Sequence, residues 1–258
     1  MKIVSVGAGR LAHHLIPALF GAGHTILQVY SHGQTHAESL GDLVCSESIT
    51  DLGKLNRDAD IYIISVSDDV LDEVGDEVRG LCPHSLIVHT AGTKPLNALK
   101  GEKTGVIYPM QTFSFDKSLD FKNIHIFVEA KDEVDIQILI DLCSGISDHV
   151  YMMTSDKRRH LHLAAVFACN FVNHCYDIAD GILQTIGVPF GVMYGLIDET
   201  CAKVHQLSPK DAQTGPASRG DTDVLSSHIQ MLSDHPDIQK IYQLISENIK
   251  KRKFYDQL

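Results

Sequence analysis

His162 and Asn170 stand eight residues apart in a segment whose apolar period is helical, and two further polar stretches could complete a site with them. A histidine suits proton transfer, because its ordinary pKa of about 6.5 lets it give or take a proton near neutrality. An asparagine can orient a carbonyl or hydroxyl without carrying charge. Eight residues of α-helix give a rise of ~12 Å and an angular offset of ~80°, so both side chains can face one cleft without touching. Asn173 and His174 extend this polar stripe by a further turn. A polar stripe on an apolar helix is costly unless it meets water or a ligand, although a helix packed at a domain or subunit interface with satisfied polar groups fits equally. Tyr108 ends an apolar run and precedes Pro109, which breaks the strand; it is the reserve acid. The third stretch, Thr214-Gly215-Pro216-Ala217-Ser218-Arg219-Gly220-Asp221, reads as a rigid loop before a helix. It presents Thr214, Ser218 and Arg219 together, in the manner of an anion or carboxylate clamp, with Asp221 or Thr222 placed to cap the helix.

These residues need a scaffold, and the amino terminus names its type. Lys2-Ile3-Val4-Ser5-Val6 is a buried-strand pattern that runs into Gly7-Ala8-Gly9-Arg10-Leu11-Ala12 and then a helix. Strand, glycine turn and helix in that order form the Gly-x-Gly-x-x-Gly/Ala fingerprint of a dinucleotide site. Gly7 permits the tight turn, Gly9 lets backbone approach a pyrophosphate, and Ala12 allows close helix packing. The backbone N–H groups of Arg10, Leu11 and Ala12 then face the phosphates. The second strand ends Val29-Tyr30-Ser31-His32-Gly33-Gln34, without the acid that binds the ribose hydroxyls of NAD. Ser31, His32 and Gln34 can donate to a 2′-phosphate, which favours NADP; a solvated-loop role for His32 stays open. Ser67 could bond the cofactor or cap the next helix. Thr90 and Gly92, after another strand, are placed near the nicotinamide end or form a structural turn.

Over the first 153 residues strands and helices alternate. Thr25–Ser31, Ile61–Val66, Leu86–His89, Gly105–Tyr108, Ile124–Val128 and His149–Met153 are apolar runs bounded by turn residues. Continuous runs signal strands buried on both faces, so the spacing predicts a Rossmann-like, doubly wound, mostly parallel sheet. From residue 154 to 258 only helical periods follow: one long helix from Lys157 to about Ile186, then Phe190–His205, Thr222–Ser233 and Pro236–Lys251. The expected plan is an α/β domain (1–153) followed by an all-α domain (154–258) that forms the second wall of a cleft.

Composition narrows the rest. A net charge of -11 argues against nucleic acid as a partner. Charges interrupt every apolar stretch before the ~20 residues of a membrane span, and a pattern that opens on a core strand leads us to expect no secretory leader. Six cysteines without a Cys-x-x-Cys pair suit a reducing cytoplasm. Fifteen histidines invite a metal, but the pairs His13-His14 and His160-x-His162 do not share a helix face, so no metal site is expected.

Gly7-Ala8-Gly9, His89-Thr90-Ala91-Gly92, Pro109-Met110-Gln111-Thr112-Phe113, the 162–170 segment and the 214–221 loop together resemble a bacterial family of putative NADP oxidoreductases. In that family a Rossmann-like domain is joined to a helical domain of uncharacterised function. It is more distantly similar to pyrroline-5-carboxylate reductases, deazaflavin-dependent NADP reductases and the 6-phosphogluconate dehydrogenase group. The resemblance implies NADP in the first domain and a homodimer built through the second, and it implies no substrate. Tyr108-Pro109 stands where the relatives carry His-Pro, and the Lys-x-x-x-Asn of hydroxyacid dehydrogenases is absent from the long helix. The resulting expectation is hydride transfer between NADP and a small polar, anionic carbonyl, imine or alcohol. His162 would move the proton, Asn170 would orient the substrate and Arg219 would hold its charge. A dinucleotide sensor without turnover and a deazaflavin- or flavin-coupled NADP reductase are the competing readings.

Overall fold

The computed structural model describes residues 1–117 and 119–252. They fall into two compact units, Met1–Asn170 and the chain from Phe171 onward. In the first, β1 (Lys2–Val6), β2 (Thr25–Tyr30), β3 (Glu47–Ile49), β4 (Ile61–Ile64), β5 (Leu86–His89), β6 (Thr104–Pro109), β7 (Ile126–Ala130) and β8 (Val150–Met152) form one sheet. Its order is β3-β2-β1-β4-β5-β6-β7-β8. All neighbours pair in parallel except β6 and β7, so the last two strands run against the rest. The order reverses between β1 and β4, which is the topological switch point where open α/β sheets bind ligands.

The uninterrupted apolar runs have a direct cause. Ile3, Ile61, Ile63 and Val88 enter one core, together with Leu15, Ile16 and Leu19 of α1 (Ala12–Gly21) and Leu139 and Leu142 of α4 (Glu133–Ser144). Their sequence neighbours Val4, Val6, Tyr62, Ile64 and Ile87 enter a second core on the opposite face, with Leu71 and Val78 of α3 (Leu71–Leu81). Side chains alternate between faces along a strand, so a sheet covered on both sides needs apolar residues at every position. Helix α2 (Gln34–Leu43) packs its Ala37 and Leu40 inward. The start of α4 is capped by the Asp132 carboxylate, which accepts the Asp135 N–H at 2.9 Å.

Two features depart from expectation. Strand β3 has only three residues and no apolar run of its own; pairing with β2 creates it. The helix expected over 157–186 is instead α5 (Ser155–Ala165), a π-helical turn (Val166–Asn170) and α6 (Phe171–Gln184). The sheet ends at Met152, whereas the compact unit continues to Asn170. Helix α5 belongs with the sheet because Ser155 and Arg158, near its start, are bound to Glu129 of β7.

The second unit contains α6, α7 (Tyr194–Gln206), the short α8 (Pro216–Arg219), α9 (Thr222–Met231) and α10 (Pro236–Arg252). Among its described residues only four hydrophobic side chains are buried: Leu183, Ala217, Leu225 and Leu232. Large apolar residues including Ile186, Leu196, Met231 and Leu244 are each about two-thirds or more exposed (68%, 65%, 73% and 68%). No described helix is long and apolar enough to cross a membrane.

Candidate active site

The glycine turn follows β1 at the switch point. Gly7 has φ +112°, and a Cβ there would lie 2.3 Å from the Ser65 carbonyl oxygen. Its N–H donates to the Tyr30 carbonyl at 2.8 Å. The turn is therefore pinched between the ends of β2 and β4, and only glycine fits. A Cβ at Gly9 would meet no protein atom within 4 Å, so the opposite side of the turn is open. Among the described residues the backbone N–H groups of Arg10, Leu11 and Ala12 find no acceptor, and Leu11 opens α1 without a side-chain cap. Open space over a row of unpaired donors at a helix start fits a pyrophosphate.

At the end of β2, Ser31 is buried while His32, Gly33 and Gln34 are exposed. Helix α2 starts at Gln34 with no acid in its first turn. Glu38, one turn on, accepts a hydrogen bond from Gln34 Nε2 at 2.5 Å. The chemistry of this edge suits a phosphate better than a diol. The loop after β6 lies against the same helices: His14 Nε2 is 2.7 Å from the Ser114 carbonyl, and the Phe115 ring contacts those of His13 and His36.

Ser67 is exposed and its carbonyl accepts from Val70 N–H; the side chain does not cap α3, whose N-cap is Val70. Thr90 is buried and donates to Ser65 Oγ at 3.2 Å, tying the ends of β4 and β5 together. His89 is fully buried, with Nε2 at 3.2 Å from the Pro95 carbonyl and Nδ1 accepting Ala91 N–H at 3.2 Å. Burial, helped by the Arg158 charge, pushes its pKa down to about 4. The folded protein therefore keeps His89 neutral, whereas the unfolded chain protonates it below about 6.5. The contribution of this group is intact above that pH and is lost as pH falls toward 4. Urea midpoints should show a loss of about 2 kcal/mol between pH 7 and pH 5, and His89→Gln should flatten that dependence.

Tyr108 and His162, 54 residues apart, meet at the end of β6. The Tyr108 hydroxyl is 3.1 Å from His162 Nδ1, and the two rings meet edge to face. Burial raises the Tyr108 pKa, and the charge of Arg158 opposes that rise. Gly92 closes the pair: a Cβ there would lie 2.7 Å from His162 Nδ1 and 2.9 Å from Tyr108 Cε2. Gly92, expected at the cofactor, thus also clears the space in which these two rings meet. A phenol hydrogen-bonded to an imidazole can deliver a proton and have it replaced.

A network that the sequence does not advertise ties the start of α5 to β7. Arg158 is 1% exposed. It pairs with Glu129 of β7 and donates to the Lys94 carbonyl and Ser155 Oγ. Ser155 donates to Glu129 from both its N–H and its hydroxyl, and accepts Leu96 N–H at 2.8 Å. A lone arginine on a helix reads as a solvated charge. The one local signal was its place a turn before His162, on the same helix face.

Asn170 is exposed, at the end of the π-helical turn. One extra residue in that turn rotates the succeeding residues back by ~100°, so the ~80° offset of a regular helix shrinks to roughly 20°. Thr214, Ser218, Arg219 and Asp221 all belong to the second unit. Arg219 is paired there with Asp221 (Nε–Oδ2 3.0 Å, Nη2–Oδ2 2.8 Å), so the clamp is closed on its own acid. Asp221 stands at the N-cap of α9 without a side-chain cap bond, because its carboxylate is engaged by Arg219. Among the described residues no group of three His, Cys, Asp or Glu side chains could hold a metal ion.

Comparison with known proteins completes the picture. Residues 124–249 match a domain of unknown function, DUF2520. No curated protein matches the chain. Among solved structures, an imine reductase from Myxococcus stipitatus in complex with NADP+ is 14% identical, with a TM-score of 0.64 over 97% of this chain and 92% of that one. A protein of Thermotoga maritima is 21% identical, with a TM-score of 0.73 over 99% and 100% of the two chains. Both share the fold. A putative NADP oxidoreductase from Bacteroides fragilis is 45% identical, with a TM-score of 0.92 over 97% of this chain and 98% of that one. At that identity over nearly the whole of both chains, this chain belongs to the family of the Bacteroides fragilis protein, the putative NADP oxidoreductases, in which a Rossmann-like domain is followed by a helical one.

Proposed function

We propose that the protein is an NADP-dependent oxidoreductase acting on a small polar, anionic carbonyl, imine or alcohol. The observation that carries this reading is the Tyr108–His162 pair at 3.1 Å, on the same edge of the sheet as the glycine turn. Gly7, Gly9 and the N–H groups of Arg10, Leu11 and Ala12 hold the pyrophosphate. Ser31 and His32 take the 2′-phosphate, and Ser67, Thr90 and Gly92 border the nicotinamide end. When bound, NADPH supplies the hydride. Tyr108 gives its hydroxyl proton to the substrate oxygen or nitrogen, and His162 Nδ1 orients that hydroxyl and returns a proton afterwards. Asn170 orients the substrate. Within the helical unit, Arg219 with Thr214 and Ser218 forms an anion clamp that opens once Arg219 parts from Asp221.

A homodimer through the helical unit belongs to the same proposal. Four buried hydrophobic side chains against many exposed ones leave that unit short of a core, which a second copy would complete. Six free cysteines suit a reducing cytoplasm.

Calorimetric titration should show NADPH binding at least about tenfold tighter than NADH, the worth of one charge-assisted contact. Oxidation of NADPH across a panel of small keto acids, cyclic imines and aldehydes should find turnover, and His162→Ala should abolish it with binding retained. Normal turnover in that variant removes His162 from the role. Tight NADPH binding without oxidation of any acceptor would make the protein a dinucleotide sensor, and oxidation by flavins alone would make it a flavin-coupled reductase.

A further inference from the structure

The buried Arg158 fastens α5 to the sheet, and one helical turn further along α5 His162 meets Tyr108. Three observations define its place. It sits one helical turn before His162 on α5, so the two side chains share a face. Its guanidinium is held by Glu129, the Lys94 carbonyl and Ser155, which fastens the start of α5 to β7. Among the described residues its buried Nε–H finds no acceptor, so the cation's hydrogen-bonding capacity is left incomplete.

We propose that Arg158 is a positioning residue of the site: a buried cation that sets His162 against Tyr108 and stabilises the Tyr108 phenolate left when the hydroxyl proton passes to the substrate. What Tyr108 does with its proton rests on the oxidoreductase reading; the effect of Arg158 on the phenol does not. In that step the Tyr108 O–H bond breaks, the proton bonds to substrate oxygen or nitrogen, and the electron pair stays on the phenol oxygen. Burial by itself disfavours a phenolate. His162 on α5 touches the phenol and the charge of Arg158 acts on it; Glu129 on β7 is paired with Arg158, while His89 on β5 feels Arg158, Asp68 and Glu129, and of these groups only Arg158 is a permanent cation. The pull of its charge on the Tyr108 pKa, opposite to that of burial, is in accord.

The test reads the phenol directly. A fluorinated tyrosine incorporated at position 108 titrates at lower pH than tyrosine, and its ultraviolet absorbance reports the midpoint without turnover. Glu129→Gln leaves the Arg158 charge unbalanced and should lower the midpoint relative to the parent protein. Adding Arg158→Met to Glu129→Gln removes the pair together, so no lone buried charge remains, and should raise the midpoint by at least about one pH unit over Glu129→Gln. A smaller rise overturns the proposal, since a purely structural buttress would leave the phenol unmoved. If the double variant does not fold, Glu129→Gln decides alone: an unchanged midpoint overturns the proposal and a lowered one supports it. A protein that binds NADPH without oxidising it would end the oxidoreductase reading while leaving these midpoints to be judged on their own.

Discussion

Gly92→Ala is expected to lower turnover about 100-fold while leaving the NADPH dissociation constant within about threefold of the parent value, the size of loss seen when one acid–base partner is displaced. The added Cβ would stand 2.7 Å from Nδ1 and 3.0 Å from Cγ of His162, and 2.9 Å from Cε2 of Tyr108. Atoms do not rest that close, and both rings are hemmed in. Tyr108 is 8% exposed and fixed in a strand paired on both sides. His162 is the freer partner, so it must swing away, and the 3.1 Å contact with the phenol is broken. Steady-state kinetics beside calorimetric titration would check this. A large rise in the dissociation constant with turnover at saturation unchanged would instead make Gly92 a cofactor-contacting residue with no bearing on the pair. Gly92 thus separates the two roles that its position in the chain allows.

Gly7→Ala should abolish dinucleotide binding, weakening it at least 100-fold, and should also destabilise the fold by about 2–3 kcal/mol. The residue has φ +112°, which disfavours any side chain, and its Cβ would overlap the Ser65 carbonyl oxygen at 2.3 Å. Relief requires the turn to separate from the ends of β2 and β4, which removes the N–H groups of Arg10, Leu11 and Ala12 from their common direction. Gly9→Ala makes the informative contrast. Its Cβ meets no protein atom within 4 Å, so thermal stability should be unchanged. Binding should still fall about tenfold or more, because the methyl occupies the space left for the pyrophosphate. Thermal unfolding and NADPH titration of the two variants test both halves. Equal losses of stability would mean that the open side of the turn is not the ligand side.

The alternating pattern of the first 150 residues was legible because a sheet covered on both faces imposes apolar residues on each strand. The turn at Gly7–Ala12 was legible because its constraints act on neighbouring atoms. β3 was not, since three residues with one buried side chain carry no pattern until β2 supplies hydrogen bonds. The break at Val166–Asn170 was also hidden: none of its five residues is buried, so no apolar face marks the shift of phase. Spacing presents the loop at 214–221 as an anion clamp, yet Arg219 is held by Asp221 two residues on, a choice set by side-chain reach that spacing does not resolve.

By itself the sequence determined what depends on adjacent residues: the strand–turn–helix at the start, the acid-free end of the second strand, the change to helices, and which side chains could move a proton. Tertiary structure decided what depends on distant segments becoming neighbours. It brought Tyr108 of β6 to His162 of α5, assigned Gly92 to the gap between them, reversed β7 against β6, and buried Arg158 on Glu129. The reason is that backbone conformation is encoded within a few residues, whereas a contact across 54 positions depends on strand order and packing, which no local spacing records.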